Sequence, residues 1–112
     1  MSTPNAESPQ AALKKGRANM QRGLETAGGH LELFADRLVF TPHSFNVQSD
    51  AVEVPLREVQ GTRPVWTKFL NLIPLGPNSL AVDLADGSVR SFVLPRRLEW
   101  KSAIDDAVAA LR

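Results

Sequence analysis

The chain is predicted to be mainly β with one C-terminal α-helix, and three observations carry that prediction. Apolar and polar residues alternate with period two in successive short runs. Turn residues, above all Asp86-Gly87, punctuate those runs. From Arg96 onward the apolar spacing changes to that of a helix. At 112 residues the chain is one domain's worth, long enough to bury a single core without covalent staples.

Residues 1–12 begin with Ser2, Thr3, Pro4, Asn5, Ser8 and Pro9 and carry almost nothing apolar, so they are expected to be a disordered tail, with the domain spanning 13–112. Residues 11–22 are ambiguous. Ala11, Ala12 and Leu13 suit a helical turn, Gly16 interrupts it, and Ala18, Met20 and Arg22 alternate as a strand does. A first strand is expected from about Ala18.

Residues 28–59 state the strand pattern most clearly. Leu31 and Leu33 alternate with His30 and Glu32, and Leu38 and Phe40 alternate with Arg37, Val39 and Thr41, with Ala35-Asp36 between the runs as the tip of a tight hairpin. Val52, Val54 and Leu56 alternate with Glu53 and Pro55, and the proline marks that strand's end. Residues 60–65 form a weaker strand that Pro64 confines to an edge or an end. Residues 66–77, WTKFLNLIPLGP, hold six large apolar side chains and two prolines without a clean period, and are expected to be a loop. Leu80, Val82 and Leu84 alternate again. The hairpin signal at Asp86-Gly87 returns the chain to a last strand with Phe92 and Leu94 facing inward.

After Pro95, the residues Trp100, Ile104, Ala107, Val108 and Leu111 fall on one helical stripe, while Lys101, Asp105 and Arg112 lie off it. Asp105-Asp106 is expected to be a solvated face. A helix with one apolar stripe is a lid over one end of the sheet, anchored by Trp100. Each large side chain it buries contributes about 1.5–3 kcal/mol.

In this order, Gly29-x-Leu31-x-Leu33, Arg37-Leu38-Val39-Phe40, Val54-Pro55-Leu56 with Val59, Leu80-x-Val82, Asp86-Gly87, Phe92, and Trp100 with Ile104 resemble a GRAM domain. The resemblance covers the chain from about Ala18 to its end. It implies a pleckstrin-homology-like fold, a seven-stranded antiparallel barrel or a pair of orthogonal sheets capped by the helix. It also implies a non-catalytic binding module that acts at membranes through lipid headgroups, or on protein partners. The chain departs from the phosphoinositide-binding pattern of such folds, which places basic residues on the first two strands around their joining loop. Here residues 23–29 carry only Glu25, and the second strand offers Glu32.

Two stretches remain as candidate sites. One is the apolar loop, with Trp66, Phe69, Leu70, Leu72 and Ile73 rimmed by Arg63 and Lys68. It reads either as a wedge for a membrane or a partner, or as a plug folded back into the open end of a barrel. The other is the basic segment Lys14, Lys15, Arg17 and Arg22. Net charge is +1 overall, but residues 1–22 carry +3 and the remainder −2. At about 1 kcal/mol per cation near an anionic surface, Lys14, Lys15 and Arg17 supply only roughly 3 kcal/mol, so membrane binding needs both stretches acting together. The alternative reading of the segment is a solvated tail.

Other classes have less to stand on. With no cysteine, thiolate metal sites and cysteine nucleophiles are excluded, and a reducing, cytoplasmic setting is expected. No run approaches the roughly 18 apolar residues of a membrane-spanning helix. His43 and Ser44 are neighbours that a strand sends to opposite faces, so no enzyme, cofactor or metal is expected, and His30 is expected to be an ordinary surface residue. Nucleic acid is disfavoured because the basic stretch has no interleaved aromatic residue. The expectation is thus a non-catalytic binding module, cytoplasmic or peripheral to a membrane, monomeric or weakly dimeric. Its partner is an anionic membrane surface or another protein. The alternatives are a structural or assembly protein that self-associates through residues 66–77 or a sheet edge near Pro64, and a carrier of a small apolar ligand.

Overall fold

The computed structural model describes residues 11–22, 25–43, 51–69 and 73–112. Within them the chain runs β1 (Lys14–Arg22), β2 (Glu25–Leu33), β3 (Arg37–Pro42), β4 (Val52–Pro55), a 3-10 turn (Leu56–Glu58), β5 (Val59–Phe69), β6 (Ile73–Leu84), β7 (Val89–Val93) and α1 (Arg97–Ala110). The strands form one antiparallel sheet in the order β4-β3-β2-β1-β7-β6-β5. Its edge strands β4 and β5 are not paired with each other, so the sheet is open where a closed barrel was one of the two forms expected.

The order is two meanders joined by a narrow seam. β1 to β4 follow one another in space, the 3-10 turn carries the chain to the far edge, and β5 to β7 return toward β1. At the join, Asn19, Met20 and Gln21 of β1 pair with Val93, Phe92 and Ser91 of β7. β1 begins at Lys14 rather than near Ala18. Its first half pairs fully with β2, Lys14 opposite Leu33 and Gly16 opposite Leu31, so ladder hydrogen bonds extend the strand through residues whose alternation is interrupted by glycine.

Alternation decides the core as expected. Met20, Leu31, Leu33, Leu38, Phe40 and Val54 are buried with Leu80, Val82, Phe92 and Leu94 of the second meander, and Val52 packs partly against them. Phe40 and Phe92 meet across the two meanders at 6.1 Å between ring centroids, a separation at which tilted rings attract.

Both hairpin signals give hairpins. Phe34 donates to Arg37 O at 2.8 Å, leaving Ala35-Asp36 at the tip. Arg37 braces that turn: its guanidinium reaches Asp36 at 2.9 Å and Glu53 of β4 at 3.4 Å, and it lies 4.2 Å from the Phe34 ring centroid. Arg37 therefore serves the fold. At Asp86-Gly87, Gly87 adopts φ 92°, a conformation glycine takes without steric cost. Leu84 donates to Ser88 O and Gly87 to Leu84 O, the pattern of a three-residue loop ending in a glycine bulge rather than of a two-residue turn.

After Pro95, Arg96 takes a left-handed conformation (φ 57°, ψ 47°) that turns the chain into α1. Trp100, Ile104, Ala107 and Val108 are buried as the stripe requires. Leu111 is not; it lies beyond the last helical turn and is exposed. Trp100 lies flat enough on β1 that a Cβ at Gly16 would sit 3.3 Å from its Cζ2. The ammonium of Lys14 stands 5.3 Å from the Trp100 ring centroid.

A second stripe of the helix meets β5. Lys101 donates to Thr62 O at 2.9 Å and Arg112 to Val59 O at 2.7 Å, while Arg97 donates to Val65 O at 2.7 Å and Ser79 O at 3.0 Å. Asp105 is half-buried rather than freely solvated, accepting from Thr62 Oγ1 at 2.7 Å and from Lys101 at 2.9 Å. Carbonyls of an edge strand thus end on helix cations, which takes them away from any strand that might add to that edge.

Candidate functional site

Of the expected loop at residues 66–77, the described parts, 66–69 and 73–77, are strand. β5 continues to Phe69 and β6 begins at Ile73, with Thr67 opposite Gly76, Lys68 opposite Pro74 and Phe69 opposite Ile73. The missing period has a physical cause. The β5–β6 register shifts between Val65 and Thr67 and again between Thr67 and Lys68, and each shift resets which side chains share a face. Pro64 lies on β5, the edge of the sheet, as its missing N–H requires.

Trp66 sits at the first of these shifts with 56% of its surface exposed. Its successor Thr67 is turned inward and buried, its hydroxyl meeting the Asn78 amide and the Ser79 hydroxyl. Pinning Thr67 inward presents Trp66 outward, since adjacent strand residues point to opposite faces. The plug reading therefore fails for Trp66. Lys68, Phe69 and Ile73 are placed in their strands by backbone pairing, but their side chains lie outside the described residues, as do Leu70 and Leu72 altogether.

The cations expected to accompany the tryptophan are mostly engaged elsewhere. Arg63 grips Asp83 with two parallel hydrogen bonds, Nε to Oδ2 at 2.7 Å and Nη2 to Oδ1 at 2.8 Å. That hydrogen bonding raises the guanidinium further above its ordinary range and holds the Asp83 carboxyl below the usual one. The basic segment belongs to β1 and not to a tail. Lys14 lies over Trp100 and 3.7 Å from Glu99, Lys15 lies 4.0 Å from Glu32, and Arg17 is exposed. Arg22 closes β1, with its side chain outside the described residues. β7 and β6 separate β1 from β5 in the sheet, so the basic segment and Trp66 do not share a strand pair.

One cluster escaped the sequence reading. His30 and His43 meet edge to face with 4.9 Å between ring centroids. The signal was present in the hairpin arithmetic: a turn centred on Ala35-Asp36 sets residue 30 opposite 41 and residue 28 opposite 43, which brings the histidines to diagonal positions on one face. Among the described residues no group of three or more histidines and carboxylates is placed to hold a metal ion. No helix among the described residues is long and apolar enough to cross a membrane.

No protein-family model matches the chain, and no curated protein matches it in sequence. Solved structures do resemble it. The C-terminal domain of an unknown protein from Leishmania infantum aligns with a TM-score of 0.73 at 12% identity, over 88% of this chain and 84% of that one. The linker-DH/PH domains of p115-RhoGEF align with a TM-score of 0.70 at 15% identity, over 90% of this chain and 30% of that one. The Slm1 PH domain, solved in complex with phosphoserine, aligns with a TM-score of 0.58 at 12% identity, over 86% and 91%. At these identities the likeness is one of fold, and the fold is pleckstrin-homology-like: seven antiparallel strands and a C-terminal helix.

Proposed function

We propose that this chain is a GRAM-type, non-catalytic module that binds a protein partner, and that its docking surface is the β5–β6 hairpin around Trp66. The observation that carries the reading is the exposure of Trp66, 56% on a strand whose next residue is buried. Tryptophan is usually well buried in a free protein and is enriched at the centres of protein interfaces. Slm1 PH and the DH/PH region of p115-RhoGEF share the fold.

A protein partner is favoured over an anionic membrane by the state of the cations. Arg63 is paired with Asp83 and Lys14 is held at Trp100 and Glu99, so two of the cations that would accompany Trp66 to a lipid surface are engaged within the molecule. The rival, self-association at the sheet edge, is opposed from Val59 to Val65 by the helix cations on β5 carbonyls.

Three measurements on wild type and Trp66→Ala test the proposal. Co-sedimentation with neutral and anionic vesicles is expected to show no Trp66-dependent binding, and sedimentation equilibrium is expected to show a monomer. A protein recovered from the source cells by wild type and by a Leu13→Ala control, and lost with Trp66→Ala, is the expected positive result. Vesicle binding that disappears with Trp66→Ala would replace the protein partner by a membrane, and a Trp66-dependent dimer would replace it by a second copy.

A further inference from the structure

β1 lies in the middle of the sheet, yet half of one of its sides has no neighbour. β7 pairs with it only from Asn19 to Gln21, although β1 begins at Lys14. In an antiparallel ladder the N–H and C=O of a residue point to the same side, and successive residues alternate. Two bonds set the phase: His43 donates to Gly28 O, which turns the even-numbered residues of β2 toward β3, and Leu94 donates to Asn78 O, which turns it toward β6. The odd-numbered residues of β2 therefore bond the even-numbered residues of β1, and Asn19 and Gln21 point at β7. Lys15 and Arg17 point the same way with nothing opposite them. Among the described residues, no backbone group pairs with theirs on that side.

The cause is local. Continued in register, Pro95 would lie opposite Arg17, but proline has no N–H to offer, and Arg96 then turns the chain into α1 at φ 57° and ψ 47°. The vacated half-slot is a hollow of about 500 Å³, lined by Arg17, Asn19 and His43 on one side and by Asn78, Leu94 and Pro95 on the other. An unpaired strand side is a template for one more strand. The outer strands are guarded against such addition, β5 by helix cations on its Val59, Thr62 and Val65 carbonyls and β4 by being four residues long and ending at Pro55. The half-slot beside β1 has neither guard.

Side chains select what can add there. Lys15 and Arg17 are exposed, Arg17 has no ion-pair partner among the described residues, and no carboxylate lines the hollow. Directly opposed charges on neighbouring strands attract when unlike and destabilise when like, so an incoming strand needs acids at the positions that face them. On the core face Trp100 already presses on Gly16, where a Cβ would stand 3.3 Å from its Cζ2. The positions between the acids must therefore be small.

We propose that the half-slot beside β1 takes an extended acidic segment of another protein, which adds to the Lys15 and Arg17 main chain as a strand in line with β7. Its carboxylates face the Arg17 and Lys15 side chains, and small residues alternate with them. This is a second recognition surface, and it goes beyond the one at Trp66.

The probe is a phage-displayed library of random peptides selected on the whole chain, with the selected sequences then made as synthetic peptides. Acids alternating with small residues are expected among them. Amide hydrogen exchange reads the mode of binding. In the free chain the Lys15 and Arg17 N–H should exchange fast and those of Gly16 and Ala18, bonded to β2, slowly; saturating peptide should slow Lys15 and Arg17 by about tenfold or more. Arg17→Gln is expected to weaken binding about tenfold, the scale of one charge-assisted contact. Arg57→Gln, the same loss of charge in the 3-10 turn, should leave it unchanged. N-methylation of the peptide at alternate backbone positions should abolish binding in one phase and spare it in the other, a result that needs no substitution in the chain. Slow exchange at Lys15 and Arg17 in the free monomer would overturn the proposal, because the chain itself would then fill the slot. Slowing that grows with protein concentration and without peptide would overturn it in favour of a second copy. Selected peptides without acids, tolerance of N-methylation in both phases, or a selection that yields no Arg17-dependent binder would overturn it too.

Discussion

The two tryptophans divide the molecule. Trp100 is 3% exposed, lies on Gly16 of β1 and shares its helical stripe with Ile104 and Val108. Trp66 is 56% exposed, on an edge strand at a point where the register slips. The same side chain is a keystone in one place and spare in the other, and the difference lies in periodicity. A residue in phase with its element's apolar stripe is carried into the core. A residue at a bulge is released from that phase, and here the buried Thr67 takes the inward position.

The largest expected effect breaks the keystone. Trp100→Ala should lose about 3–5 kcal/mol in urea unfolding, the cost of truncating a buried aromatic side chain, while Trp66→Ala should change stability by less than about 0.5 kcal/mol. A comparable loss at both positions would erase the distinction. Next, Gly16→Val should destabilise by about 1–3 kcal/mol through overpacking, because its Cβ would already press on Cζ2 at 3.3 Å and the added methyls have nowhere to go. The same change at Gly61, whose Cβ would meet nothing within 4 Å, should cost far less in the same assay.

Lys101→Met sharpens the comparison at the strand that carries Trp66. It removes the donor to Thr62 O and leaves Asp105 with Thr62 Oγ1 alone, for an expected loss of about 1–2 kcal/mol. Size-exclusion chromatography should also show concentration-dependent association if the cation guards the edge.

The smallest effect concerns Arg63 and Asp83. Arg63 hydrogen-bonds the Asp83 carboxylate and lowers its pKa in the folded protein. A depressed carboxyl contributes stability above the unfolded pKa and loses it as pH falls through the folded value. Arg63→Ala should therefore be slightly less stable than wild type at neutral pH, and the difference should close as the pH drops below the ordinary carboxylate range. A difference that persists or grows in acid would show that the pair acts through packing.

Much of the fold was legible because alternation and burial report the same thing. Leu31, Leu33, Leu38, Phe40 and Val54 are where a period-two pattern puts them, and Pro55, Asp86-Gly87 and Pro95 end or turn elements for local steric reasons. What was not legible depends on partners distant in sequence. The start of β1 at Lys14 is set by pairing with Leu33, and the role of Asp105 by Thr62, 43 residues away. The strands within residues 66–77 were hidden because two register shifts scramble the alternation that would announce them. The candidate site was half legible. Composition pointed to Trp66, but its outward direction follows from Thr67 finding Asn78 and Ser79. The His30 and His43 pair required the hairpin register as well as the residues.

The central claim is that Trp66 is free of the fold and available to a partner while Trp100 is committed to the core. Acrylamide quenching of the single-tryptophan variants Trp100→Phe and Trp66→Phe compares them directly. Trp66 emission is predicted to be quenched several-fold more steeply than Trp100 emission and to lie at longer wavelength, as a half-exposed indole requires. Equal shielding of the two would contradict the account and return Trp66 to the core.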